Sequence, residues 1–255
     1  MVTVKEIYDE LDRLAPFSLQ ESYDNSGILV GSGNEIVAKV LVSLDITYDV
    51  AKEAAECGYD LVISHHPVIF HGLKRLEKNN PAVVLASAEV PAICMHTNFD
   101  SAQGGMNDIL CRRLGLEPQE PLAVENGVPI GYVCKMKSPC TPKELAASVK
   151  LKLGETVVRY NDTGKQLKTV AVCSGSGGGF LPDVIDKNIN AYITGDVKHD
   201  VFVDAHNRGV CVIDAGHFHT ENIFFDWLCN KLTDKFPSLN ICNAKANKDI
   251  LSYEI

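Results

Sequence analysis

The sequence predicts an α/β protein whose mostly parallel sheets are covered by helices on both faces. Short apolar runs alternate with stretches of helical periodicity, and similar strand–helix segments occur in both halves of the chain. Parallel strands need a long crossover, usually a helix, so this alternation is typical of α/β folds. The apparent repeat extends the prediction to two similar α/β subdomains.

Length and composition narrow the class of protein. The 255 residues suit one large domain or two small ones, at roughly 150 residues per domain. Apolar residues make up 45% of the chain and the net charge is −9, which argues against disorder and against binding to nucleic acid. Nine scattered cysteines without a C-x-x-C pair argue against a disulfide scaffold or a cysteine zinc site. Without a signal-peptide core or an apolar run of about 20 residues, we expect a cytoplasmic protein with no membrane partner.

The elements of the first half follow from capping residues and periodicity. A capping box at Thr3 and Glu6 begins a helix that Pro16 ends. The segment YDNSGILVG follows this helix and contains turn residues before a short apolar run. The remaining elements are predicted as a strand at 37–44, a helix at 47–56, a strand at 60–64, a helix from Asn80-Pro81, a strand at 92–95 and a helix ending near Gly115.

A domain boundary is predicted where the pattern weakens. Residues 116–130 hold three prolines and few periodic positions. Beyond them, we predict strands at 132–135, 156–160 and 168–173, a helix from the capping box at Thr141 and Glu144 to Gly154, and a final helix at 221–235 with Glu221 in its first turn and Trp227 in its core face. These elements give a first subdomain at 1–124, a second at 125–214, and a C-terminal segment at 215–255 that packs across the cleft.

The repeat aligns two pairs of segments. GYDLVISHHP resembles NINAYITGDVKH, and VPAICMHTNFD resembles RGVCVIDAGHFHTE. In each segment a short apolar strand ends in polar residues, at matching places in a strand–helix–strand–helix order. The carboxyl ends of such strands are where α/β folds bind ligands.

Histidines and carboxylates cluster after three of these strands, and this is the strongest chemical signal in the sequence. Asp100 and Glu221 lie four residues after His96 and His217, a spacing that places each pair on one face of a helix. The candidate ligands are His65, His66, His96, Asp100, His217 and Glu221. This set is large for one four-coordinate ion and suits two divalent ions (Zn, Fe, Mn or Ni) with open positions. The other histidines, His71, His199, His206 and His219, are interpreted as structural, with His199 near enough to support a ligand.

A glycine-rich loop, SGSGGG at 174–179, follows the predicted strand at 168–173. The amides of Gly175, Gly177 and Gly178 could hold a phosphate of a substrate. A tight strand-to-helix turn explains the same glycines equally well. The loop is not a P-loop, because no GK[ST] follows, and no G-x-S-x-G motif supports a serine nucleophile.

Taken in order, YDNSGILVG, SHHP, HTNFD, the glycine-rich loop, YITGD and GHFHTE resemble the GTP cyclohydrolase 1 type 2 homologue family, also called Nif-three-like proteins. The resemblance implies two similar subdomains with a dinuclear metal site in the cleft between them. It implies that His65 and His217 bind one ion, that His66 and Asp100 bind the other, and that Glu221 bridges both. His96 would be a further ligand or lie against the site. The resemblance also implies a hexameric ring built from dimers, without the inserted domain that some members carry.

Three functions follow from these observations. A metal-dependent hydrolase would use two ions to activate water, with a small-molecule or nucleotide-like substrate. A metal storage or delivery protein without its own substrate would use the same exchangeable ligands. A scaffold with structural metals is disfavoured, because structural zinc sites are usually closed and rich in cysteine.

Overall fold

Helices and strands alternate along the chain in the computed structural model, which describes residues 1–154 and 157–254. Residues 1–102 contain β1 (Val2–Thr3), α1 (Val4–Leu14), β2 (Gly27–Val30), β3 (Ile36–Val37), β4 (Lys39–Ser43), α2 (Tyr48–Glu56), β5 (Leu61–Ser64), α3 (Pro81–Ser87), β6 (Ala92–Cys94) and α4 (Thr97–Ser101). Residues 103–223 contain α5 (Met106–Arg113), β7 (Glu117–Glu125), β8 (Val128–Cys140), α6 (Pro142–Leu153), β9 (Arg159–Tyr160), β10 (Leu167–Val172), α7 (Leu181–Asp186), β11 (Ala191–Thr194), α8 (His199–Arg208), β12 (Cys211–Asp214) and α9 (His217–Glu221). The C-terminal part contains α10 (Phe224–Lys235) and β13 (Asn240–Asn243).

The chain folds into two compact units. The first comprises Met1–Ala102 and Phe224–Lys248, and the second comprises Gln103–Ile223 with the C-terminal residues from Asp249. The chain therefore enters the second unit earlier than the boundary predicted after residue 124. It also returns α10 and β13 to the first unit.

The first unit is built on a five-stranded sheet in the order β13-β4-β5-β6-β2. All neighbours are parallel except β2, which runs antiparallel to β6. The middle residues of the inner strands are apolar and buried, as is typical of a parallel sheet. On one face, Val50 of α2 and Leu85 of α3 pack against Leu41 and Val62, and all four side chains are fully buried.

The second unit is built on a six-stranded sheet in the order β7-β8-β10-β11-β12-β9. Strands β10, β11 and β12 are parallel, whereas β8 and β9 flank them in antiparallel orientation. Tyr192 and Val212 of the sheet pack with Val184 of α7 and Ala205 of α8. The first unit thus has four adjacent parallel strands and the second has three, and in each an antiparallel strand follows, which confirms the prediction of two similar α/β subdomains.

The predicted helix starts are confirmed by their capping residues. Thr3 with Glu6 and Thr141 with Glu144 form complete capping boxes at α1 and α6. Asn80 caps α3 by accepting hydrogen bonds from the amides of Ala82 and Val83. These contacts satisfy amides that have no partner within the helix.

Three parts of the sequence interpretation need correction. Residues 116–130 form most of the β7–β8 hairpin, in which Asn126 (φ 51°) and Gly127 (φ 83°) make the turn. Two residues with positive φ suit the twist of a hairpin, and the Asn-Gly pair was the signal for it. The predicted helix at 221–235 is two helices, because α9 ends at Glu221 and α10 begins at Phe224. Of the predicted strand at 156–160, only Arg159–Tyr160 is extended as β9, and Thr156 lies outside the described residues.

Candidate metal centre

The first unit brings three histidines together where β5 and β6 end. These strands are parallel neighbours, so His65 and His66 after β5 lie beside His96 after β6. One ring nitrogen of each lies within 4.8 Å of the others, and the ring centroids are 5.0–5.5 Å apart. His65 is fully buried, whereas His66 and His96 are half-buried. Three imidazole rings this close together, one buried and two partly exposed, are able to bind a common metal ion.

The orientation of the His65 ring is fixed by the backbone. Its Nδ1 lies 2.7 Å from the carbonyl oxygen of Met95. A carbonyl only accepts, so Nδ1 carries the proton and Nε2 keeps its lone pair. Asp100, on α4, places Oδ1 at 3.6 Å from that Nε2. We call His65, His66, His96 and Asp100 the first-unit cluster.

Carboxylates orient the other two rings of this cluster. Asp45, which follows β4, places Oδ1 at 2.8 Å from Nδ1 of His66. Asp24, which precedes the antiparallel β2, places Oδ1 at 2.7 Å from Nδ1 of His96. Burial disfavours the Asp24 carboxylate, but its hydrogen bonds with His96 and Thr97 outweigh burial and hold its pKa well below the ordinary value. Asp24 therefore stays ionised behind His96.

The second unit repeats this arrangement after β11 and β12. His217 begins α9, and its Nδ1 lies 2.7 Å from Oδ2 of Asp196, which follows β11. Its Nε2 lies 3.0 Å from Oε2 of Glu221, one helical turn later. Glu221 is only 3% exposed, which is rare for a glutamate side chain. We call His217 and Glu221 the second-unit cluster.

The glycine-rich loop packs directly against the second-unit cluster. Gly175 has φ +61°, and a Cβ at this position would overlap Oε1 of Glu221 and lie 3.3 Å from Nε2 of His217. The amide of Gly175 donates to Thr220 Oγ1, and the amide of Gly177 donates to Thr194 Oγ1. Two of the three amides proposed to bind phosphate are thus used within the protein. The loop also brings its backbone close to Glu221.

The donors in both clusters fit divalent metal ions. Each of the four histidines has Nδ1 within hydrogen-bond distance of a carboxylate or carbonyl oxygen, so Nε2 is the nitrogen that could bind a metal ion. Metal-binding histidines almost always have such a partner on the second nitrogen. The absence of a side chain at Gly175 leaves room for the carboxylate of Glu221 beside His217. Imidazole and carboxylate donors together suit Zn, Fe, Mn or Ni.

The structure adds three carboxylates that the sequence interpretation missed: Asp24, Asp45 and Asp196. Asp45 and Asp196 each follow a buried parallel strand. A polar residue at the end of a strand is the same signal that predicted the histidines, so these two aspartates could have been found from the sequence. Asp24 precedes an antiparallel strand, so only the sheet topology places it at this edge. Of the histidines interpreted as structural, His71, His199 and His206 are exposed, and His219 Nδ1 lies 3.9 Å from Asp249 Oδ2.

His217→Ala should lose metal that His219→Ala retains. Of these two residues, His217 has its Nε2 beside Glu221, whereas His219 lies beside Asp249. Metal content after reconstitution with Zn²⁺, measured by elemental analysis, tests this assignment. Loss of metal in His219→Ala with full content in His217→Ala would show that the register of this cluster is wrong.

Asp196→Asn should weaken metal binding about 10- to 100-fold, the usual effect of removing such a partner. The substitution keeps the size of the side chain but removes the charge that holds the His217 ring. Competition with a chromophoric chelator measures the affinity. Asp200→Asn, an exposed aspartate in the first turn of α8, is the matched control and should bind as the wild type. Equal affinity in both variants would contradict the prediction.

Two α/β units with histidine and carboxylate clusters at their strand ends define a candidate metalloprotein. The profile of the Duf34/NIF3 family (NGG1p interacting factor 3) matches residues 2–250. The chain therefore belongs to the Duf34/NIF3 family, which confirms the family indicated by the sequence motifs. None of the helices in the described residues combines the length and apolar character needed to cross a membrane.

Named relatives cover most of the chain. A GTP cyclohydrolase 1 type 2 homolog from Campylobacter jejuni is 34% identical over 237 residues, which cover 90% of this chain and 91% of the relative. A protein named GTP cyclohydrolase 1 type 2 from Helicobacter pylori is 34% identical over 232 residues, which cover 88% of this chain and 89% of the relative.

Solved structures share the fold over nearly the whole length. The Staphylococcus aureus hypothetical protein SA1388 superposes with a TM-score of 0.86 at 26% identity, covering 99% of both chains. Reduced HcgD from Methanocaldococcus jannaschii superposes with a TM-score of 0.84 at 25% identity, covering 96% of this chain and 98% of its own.

Proposed function

We propose that this protein is a hydrolase that depends on two divalent metal ions. The observation that carries the proposal is common to four histidines: the Nδ1 atom of each lies within hydrogen-bond distance of an oxygen atom, so Nε2 is the nitrogen that would bind a metal ion. Asp100 and Glu221 supply a carboxylate beside one Nε2 in each cluster. A donor set of this size exceeds the needs of one four-coordinate ion.

In this proposal the two clusters contribute to one dinuclear site in a cleft. His65 and His217 would bind one ion, and His66 and Asp100 would bind the other. Glu221 would bridge the two, and His96 would ligate or pack against the site. The family resemblance supports this assignment, and the burial of Glu221 suits a carboxylate whose charge is matched by cations.

The protein would act on substrate by fixing ligand geometry. Two divalent ions supply Lewis acidity and lower the pKa of a coordinated water to near neutrality. Asp45 and Asp196 would keep His66 and His217 in the tautomer that ligates. Glu221, held beside the Gly175 loop, would set the spacing between the ions. Charge that develops on the substrate would then meet a preorganised set of groups.

The substrate proposed is a small, nucleotide-like molecule. The relatives named GTP cyclohydrolase 1 type 2 or its homolog support this choice. Ring opening of a purine would require attack of water on an electrophilic ring carbon. We further propose a cytoplasmic homohexamer, assembled as a ring of dimers, as the family resemblance implies.

Metal analysis tests the dinuclear site. Wild-type protein reconstituted with Zn²⁺, Mn²⁺ or Fe²⁺ should hold two ions per chain. Glu221→Ala should lower occupancy of both positions, whereas Asp100→Ala should mainly empty one. A content near zero that added metal does not raise would end the proposal.

Turnover tests the hydrolase itself. The metal-loaded protein should hydrolyse at least one member of a panel of nucleotides, phosphoesters and cyclic amides. The His65→Ala, Glu221→Ala double variant is the blank, and turnover that survives in it would contradict the assignment. If the protein binds two ions that exchange readily with added metal, but hydrolyses nothing in the panel, the result would instead favour metal storage or delivery.

A further inference from the structure

Exposed aromatic rings lie beside the first-unit cluster. The ring of Phe70 lies 6.5 Å from Tyr23, 4.7 Å from His71 and 6.0 Å from His96, centroid to centroid. Tyr23 is 63% exposed and Phe70 is 38% exposed. We call Tyr23, Phe70 and His71 the aromatic shelf. Adjacent aromatic rings in contact with water are typical of binding surfaces, because they offer apolar area at little entropic cost.

One segment of the chain, DNS at 24–26 directly after Tyr23, contacts both the loop that carries Phe70 and the candidate metal ligand His96. Asp24 holds Nδ1 of His96, and the hydroxyl of Ser26 accepts a hydrogen bond from the His96 amide at 3.2 Å. Asn25 donates its side-chain amide to the carbonyl oxygen of Ile69 at 2.6 Å, which ties the Phe70 loop to the same segment. These contacts give each residue of this sequence motif a role and fix the shelf relative to His96.

The loop that carries Phe70 is basic in an acidic protein. Residues 67–79 contain Lys74, Arg75 and Lys78 but a single carboxylate, Glu77, whereas the chain as a whole has a net charge of −9. Arg75 pairs with Glu77, and the side chains of both lysines are exposed. A local excess of positive charge attracts anionic ligands and raises their encounter rate.

We infer that the aromatic shelf binds the planar heteroaromatic ring of an anionic ligand, by stacking on Phe70 and Tyr23 next to the candidate metal centre. The inference rests on the proposed function for the identity of the reacting site, and it names the substrate class that this site would take. Base–aromatic stacking depends little on the identity of the ring, because every base has a π-face. The shelf would therefore select ring-bearing anions over phosphosugars of equal charge.

Calorimetric titration of chelator-treated, metal-free protein separates this inference from the metal chemistry. Guanosine 5′-monophosphate is the ring-bearing probe, and ribose 5-phosphate is the ring-free probe. We expect the nucleotide to bind at least about ten-fold more tightly than the sugar phosphate. Phe70→Leu, which removes the ring but keeps apolar volume, should abolish that preference, and Phe70→Tyr should retain it.

Three controls make the outcome decisive. Leu76→Ala, an exposed apolar residue on the same loop, should bind the nucleotide as the wild type does. Thermal melting and Zn²⁺ content of Phe70→Leu should match the wild type, so that a failed metal proposal would leave the stacking result intact. Equal binding of both probes to the wild type, or unchanged nucleotide binding in Phe70→Leu and Tyr23→Ala, would overturn the inference. A change of oligomeric state in Phe70→Leu, without loss of the ring preference, would overturn it too and identify the shelf as a subunit contact.

Discussion

Gly175→Ala should remove metal binding from the second-unit cluster and destabilise the fold, although residue 175 ligates nothing. An added Cβ would overlap Oε1 of Glu221 and approach Nε2 of His217 to 3.3 Å, so one side chain or the loop must move. The positive φ of +61° adds backbone strain of roughly 1–2 kcal/mol for a residue with a side chain. Overpacking a buried position costs about 1–3 kcal/mol more.

Gly164→Ala is the matched control for this prediction. Gly164 has a similar φ of +65°, and a Cβ there would meet no heavy atom within 4 Å. It should therefore show the backbone strain alone and bind metal normally. Chemical denaturation and Zn²⁺ titration of both variants separate the two effects. If Gly175→Ala binds Zn²⁺ as tightly as Gly164→Ala, then the loop does not set the position of Glu221.

Local signals in the sequence correctly predicted the capped helices and the buried parallel strands. Capping at Thr3, Asn80 and Thr141 depends on side chains within three residues, so the sequence contains the whole interaction. The strands β4, β5, β11 and β12 are apolar over their middle residues, which are buried, and each strand ends in a polar residue. Within each sheet these strands lie beside their neighbours in the sequence, as consecutive strands usually do.

The sequence interpretation failed where the determining contact is distant or where a turn interrupts periodicity. Asp24 lies 72 residues from His96, so its role needs the pairing of β2 with β6. The apolar spacing at 223–232 continues smoothly, yet the chain breaks between α9 and α10, and Glu221 belongs to the helix that carries His217. The histidine and carboxylate clusters could be anticipated because parallel strands bring their carboxyl ends to one edge. The exposed aromatic rings beside the first-unit cluster could not be anticipated, because Tyr23 and Phe70 lie outside any helix or strand.

Trp227, which the sequence places in the core face of the last predicted helix, is less buried than Phe224. Trp227 is half-buried, and its ring centroid lies 4.5 Å from that of Phe99. Its truncation should therefore cost less unfolding free energy than truncation of a fully buried aromatic residue. Phe224 is 1% exposed, and its ring lies 5.3 Å from Phe99 and 5.8 Å from His65. It therefore supports the buried ring of the first-unit cluster from behind.

Phe224→Ala should cost about 3–5 kcal/mol in unfolding free energy and should also weaken metal binding, because the cavity lets the His65 ring tilt away from its ligand position. Leu232→Ala, on the same helix and equally buried, should cost about 2–5 kcal/mol but leave metal affinity unchanged. Denaturant titrations give both stabilities, and Zn²⁺ affinities are compared under conditions where each variant is fully folded. The pair separates loss of stability from loss of ring support, since the ring of Phe224 packs on His65, whereas Leu232 lies about two turns further along α10. Equal affinities in the two variants would mean that α10 supports the fold without positioning His65.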